Sequence, residues 1–143
     1  MAAYTLAALH NVAYTCTRTG QYDRAVSVCQ QRVRLSRELG DVRGEALSLG
    51  VLAEAYHGQG RYELAVQSLH QALQSFQAHG ADRNQALCLM KLGQAYEAMG
   101  SYQRAIRHLE ASLLVFRRLR LPHKVRQVQE ALDRCRAATV SSR

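Results

Sequence analysis

Apolar residues recur along this chain at helical spacing, and the pattern returns in phase every 40 residues. Within 44–58, Leu49, Leu52, Ala53 and Tyr56 stand at i, i+3, i+4 and i+7, one stripe of a helix. Within 61–79 a second stripe runs through Ala65, Val66, Leu69, Leu73 and Phe76. Gly60 separates the stripes, at a place where a residue that accepts positive φ ends a helix cheaply. The pattern predicts two helices joined by a tight turn, with small Ala53 and Ala65 letting the backbones approach and Tyr62 filling the corner. Leu92, Gly93, Tyr96, Gly100, Tyr102 and Ala105 repeat the signature, and 44–83 matches 84–123 at 12 of 40 positions without a gap. Val12, Ala13, Cys16, Gly20, Tyr22 and Ala25 are a worn third copy. A fixed period of this length marks a repeat array. A lone helix pair cannot bury both stripes, so the units must stack on neighbours.

The expected architecture is all-α: a single domain over 1–137, with repeats over about 4–40, 44–80 and 84–120. Asp41 is placed to cap the helix after it. Asp82, with Gln85 three residues on, suggests a capping box. Pro122 breaks the pattern. A last helix over 123–137 buries Val125, Val128, Leu132 and Cys135 and presents Arg126, Glu130, Asp133 and Arg134, as a solvating cap does. Residues 138–143 are expected to form a disordered tail. The first repeat carries Cys16, Cys29, Arg32 and Ser36 where the second has Tyr56, Leu69, Ala72 and Phe76. It is either an edge unit or the continuation of a longer array whose neighbour would cover Tyr4 and Leu6.

The spacing Leu-Gly/Ala-x-x-Tyr-x-x-x-Gly-x-Tyr-x-x-Ala resembles the tetratricopeptide repeat, over roughly Leu6 to Leu121. The 40-residue period is similar to the long-helix subclass of Pins-type adaptors. The resemblance implies an α-solenoid of three helix-turn-helix repeats acting as a protein-interaction scaffold, with first helices lining a concave groove. The period then supplies the residues. They are His10, Asn11 and Tyr14 in the first repeat, Gly50, Val51, Glu54 and His57 in the second, and Met90, Lys91, Gln94 and Glu97 in the third. Val51 and Met90 are the expected apolar anchors. Tyr14 offers the rigid face and hydroxyl enriched at binding hot spots. Leu47 and Leu87 lie on the same side and serve packing. Co-chaperone members of the family grip a carboxylate with a two-Asn, three-basic clamp. At those places this chain has His10, Tyr14, Glu54, Met90 and Gln94, which argues against that ligand. The alternative to a peptide-binding groove is an architectural segment of a longer array used for spacing or self-association.

Charge adds a second expectation. The net charge is +8, with 17 Arg and 2 Lys, and residues 117–143 alone hold eight basic and two acidic residues. Beyond a solvated face, this C-terminal surface suits an acidic partner. Nucleic acid fits poorly, because no aromatics interleave the arginines for base stacking. The cysteines at 16, 29, 88 and 135 have no metal or redox spacing and read as small buried hydrophobes. Unpaired thiols on helices suggest a reducing compartment, hence the cytoplasm. Met1–Thr19 lacks a basic leader region, and no apolar run reaches the ~18 residues of a membrane span. No catalytic set emerges. Glu54 and His57 form a Glu-x-x-His pair, but a di-iron site needs a second copy and further carboxylates. His10 and Cys16 lie on different helical faces. The glycines at 20, 60 and 100 are helix stops, not a phosphate loop. The expectation is a non-enzyme without cofactor or metal.

Overall fold

The computed structural model describes residues 2–141, with side chains from Leu6 onward. Its elements are α1 (Ala2–Arg18), α2 (Tyr22–Glu38), α3 (Val42–Gly58), α4 (Tyr62–Ala78), α5 (Asp82–Ala98), α6 (Tyr102–Arg118) and α7 (Pro122–Ser141). Among the described residues there is no strand. The fold is an all-α helical-repeat solenoid. Six helices of 17 residues alternate with three-residue turns, so the backbone repeats every 20 residues, half the period of the side chains.

The turn chemistry explains this register. At each junction the glycine N–H reaches back to the third carbonyl before it, and the next N–H reaches the fifth. Gly60 N donates to His57 O (3.0 Å) and Arg61 N to Tyr56 O (2.9 Å). The pair recurs at 20, 40, 80 and 100, with each glycine at φ between 66° and 79°. This double bond pattern satisfies carbonyls that a helix end otherwise orphans. The sixth junction uses the same bonds, Arg120 N to Arg117 O (3.0 Å) and Leu121 N to Phe116 O (3.1 Å). It does so with an arginine at φ 56°, the one non-glycine in the left-handed region among the described residues.

Backbone contacts divide the chain into two compact units, Met1–Ser75 and Phe76–Arg143. In the first, α2 packs between α1 and α3, and α1 also meets α3. Ala13, Cys16, Ala25, Cys29, Val33, Leu49, Leu52 and Ala53 are buried. Asp41 accepts from Gly44 N at 2.9 Å, the expected cap. Gln59 Nε2 donates to Asp23 Oδ1 at 2.6 Å, tying the end of α3 to the start of α2. Leu6 is half-buried, and the Tyr4 side chain expected beside it lies outside the described residues.

In the second unit α6 packs between α5 and α7. Leu92, Leu109, Phe116, Val128, Leu132 and Cys135 are fully buried. Gly93 lets α5 pack tightly against α6: a Cβ there would lie 2.5 Å from Leu109 Cγ. The capping box expected at Asp82 is corrected. Ala81 is the cap residue and makes no side-chain bond. Asp82 is already helical and pairs with Arg118 at 3.0 Å, while Gln85 Nε2 donates to Phe76 O at 3.2 Å. The C-terminal boundary is corrected too. Helix α7 continues past 137 to Ser141, where Thr139 and Ser141 hydroxyls donate to the carbonyls of Arg136 and Ala137. Residues 142–143 of the expected tail lie outside the described residues.

Candidate functional site

The first unit brings its expected site residues onto two adjacent helices. Helix α1 carries His10, Asn11 and Tyr14; α3 carries Gly50, Val51, Glu54 and His57. Tyr14 is 50% exposed, and the Arg18 guanidinium lies over its ring at 5.1 Å, a cation–π contact that leaves much of the ring accessible. Asn11 is exposed; Gly50, Val51 and Glu54 are half-buried. His57 packs edge-on against Tyr62 at 5.0 Å, so it braces the α3–α4 corner as well as facing solvent.

Behind this surface stands a residue that repeat counting passed over as mere wear. Arg32 of α2 occupies the place of Ala72 and Ser112, both fully buried. Its Nη1 donates to Ser48 Oγ at 2.8 Å, and Ser48 in turn donates to Gly44 O at 2.7 Å. Among the described residues no carboxylate lies within ion-pair distance of it, and Asp41 acts on it only at longer range. Its Nε is buried with no hydrogen-bond partner, and so is Nδ1 of His10. Burial, then the neighbouring Arg32 charge, lowers the His10 pKa and favours the neutral ring. Burial also pushes the Cys29 thiol up to about 12, with Arg32 opposing and Glu54 reinforcing. A charged residue at a position that the sibling repeats fill with Ala and Ser was the sequence signal for this cluster.

The third repeat contributes less than expected. Met90 is corrected as an anchor: it is only 4% exposed, and its side chain fills the interior where its counterpart is Gly50. Glu97 is held by α7, where Arg134 meets it with two bonds of 2.9 and 3.2 Å. This pair fastens the last helix, so Glu97 works within the fold. Lys91 and Gln94 remain half-buried on α5. Leu47 and Leu87 are half-buried, consistent with packing. All four cysteines are free and buried. Among the described residues no cluster of His, Cys, Asp and Glu could hold a metal, and no helix is long and apolar enough to cross a membrane.

Comparison with known proteins agrees with this geometry. A family model for the tetratricopeptide repeat matches residues 4–78 and again 44–118. No curated protein matches the chain. Among solved structures, the chain is similar to the TPR domain of Arabidopsis FLU, with 17% identity, TM-score 0.76, and coverage of 80% of this chain and 96% of that one. The apo form of RapI aligns at 16% identity and TM-score 0.89, over 96% of this chain and 50% of that one. A TPR-like protein of Chlorobium tepidum aligns at 18% identity and TM-score 0.78, over 95% of both. At these identities the structures speak for the fold alone. Proteins built on this fold are in general protein-interaction scaffolds and typically non-catalytic. With the helix-turn register and the family match covering most of its length, the chain belongs to the tetratricopeptide repeat family.

Proposed function

We propose that this protein is an interaction module whose α1–α3 face receives a segment of another protein. The observation that carries the reading is the buried, unpartnered Nε of Arg32 behind that face. A guanidinium N–H can only donate, and leaving it unpaired costs about 1–3 kcal/mol. A shift of the Arg32 side chain toward the face lets a backbone carbonyl of a docked segment satisfy it, and that cost is then removed on binding. Tyr14 supplies the aromatic contact, and its exposed ring loses little side-chain entropy when covered. His10, Asn11, Gly50, Val51, Glu54 and His57 frame the segment. The scaffold is preformed, which keeps the ordering cost on the partner's side. In the second unit, Lys91 and Gln94 are the first-helix positions that retain exposure.

The test is affinity capture with the wild-type chain, Tyr14→Ala and Arg32→Ala, each verified by circular dichroism. Arg32→Ala restores the residue type of Ala72 and keeps the fold. Partners that bind wild type and are lost from both folded variants support the reading. Equal capture by all three chains removes it.

A further inference from the structure

A second surface in the other unit has a different chemistry. At the α6–α7 junction an open cleft of about 710 Å³ has an apolar floor of Leu121, Pro122 and Val125. Arg117, Arg120 and Arg126 surround it, all exposed. The other arginines nearby have partners: Arg118 with Asp82, Arg134 with Glu97, Arg136 with Glu110. Among the described residues these three have no ion pair. Glu130 is the one carboxylate at the rim, and it lies in the field of Arg134. Arg120 is also the residue that breaks the run of glycines, holding a left-handed backbone that glycine would adopt without strain. A strained backbone that keeps a cation at a cleft is the kind of outlier that accompanies a binding site.

We infer that this cleft binds an acidic segment of a partner protein, with an apolar side chain on Leu121, Pro122 and Val125 and carboxylates on Arg117, Arg120 and Arg126. Charge complementarity selects the occupant. A second copy of this chain brings +8 and is repelled. Nucleic acid would use the arginines but not the aliphatic floor, which has no aromatic ring for a base to stack on. An acidic peptide bearing leucines uses both. The site is independent of the α1–α3 face.

The test uses the full chain and a fluorescent acidic peptide carrying leucines, read by anisotropy. Arg117→Glu with Arg126→Glu should weaken binding by about tenfold or more. Val125→Ser should weaken it too, as should changing the peptide's leucines to serine. Arg43→Glu, a charge reversal at an exposed position of the first unit, should leave it unchanged. Arg120→Gly guards against misfolding as the cause of loss, since it relieves backbone strain while removing one cation, and it should also weaken binding. Four results overturn the inference. They are binding insensitive to these variants, equal binding of the serine peptide, displacement of the peptide by a single-stranded RNA oligonucleotide sensitive to the same arginines, and self-association of the chain that the same variants abolish.

Discussion

Replacing Arg120 with glycine should make this protein more stable. The residue holds φ 56° at a turn whose five counterparts are all glycine. For an L-residue the left-handed conformation costs roughly 1–2 kcal/mol. Glycine escapes that cost but gives the unfolded chain more freedom, which returns about 0.5–1 kcal/mol. The net gain is about 0.5–1 kcal/mol, or a rise in Tm of roughly 2–3 °C for a domain of this size. Part of any gain could come from relieving repulsion with Arg117 and Arg118. Arg120→Ala separates the two effects, because it removes the charge and keeps the strained backbone. Urea titration followed by circular dichroism is the assay, with the midpoint rising and the slope unchanged. Gly60→Ala, made at φ 76°, should lose about 1 kcal/mol in the same assay. If Arg120→Gly is no more stable than Arg120→Ala, the turn is not strained and the reasoning fails.

Glycines inside the helices should divide by their surroundings. Gly93→Ala drives a methyl against Leu109 Cγ and should cost about 1–2 kcal/mol, whereas Gly50→Ala meets nothing within 4 Å and should gain up to about 1 kcal/mol from helix propensity; equal Tm shifts for the two would refute the packing. The thiols of Cys29 and Cys88, pushed up to about 12 and about 11 chiefly by burial, should resist Ellman's reagent at pH 8 in the folded protein and react at once in urea. Fast labelling of either in the native state would contradict their placement. His10 and His57 both have lowered folded pKa values, first from burial. The unfolded chain therefore binds protons more readily near its ordinary value of 6.5. Stability should hold above neutrality and fall as pH drops through that range. Arg32→Ala should make the decline shallower by removing the charge beside His10; an unchanged slope would show that Arg32 does not act on it.

The helices were legible in the sequence because core spacing and turn glycines pointed to the same boundaries. Leu52, Tyr56 and Gly60 fix one helix end from both sides, and their counterparts do so again 40 residues later. The last helix was harder. Pro122 looked like a break in the pattern, and the residues after 137 looked like a disordered tail, as chain termini often are. The Thr139 and Ser141 hydroxyls instead bond carbonyls of their own helix. Site positions were less legible. Period places Met90 opposite the packing stripe, but it cannot show that the side chain turns into the interior. It places Glu97 on the groove side without showing that Arg134, 37 residues away, takes both oxygens. Arg32 shows the converse: substitution at an Ala position was visible, and only the structure shows that its Nη1 goes to Ser48 while its Nε is buried without a partner.

The 20-residue register has a consequence for how the chain reaches its fold. Within each unit the packing joins neighbouring helices or those one further along: α1 with α2 and α3, α5 with α6 and α7. Each turn fixes its own geometry with bonds spanning five residues or fewer. Such contacts close only short loops, so little chain entropy is lost before packing compensates it. Folding rates fall as contacts become more distant in sequence, and low-contact-order helical proteins fold in microseconds to milliseconds. During synthesis, a helix pair that has left the ribosome can dock as soon as its turn is complete, without waiting for a distant strand or terminus to arrive.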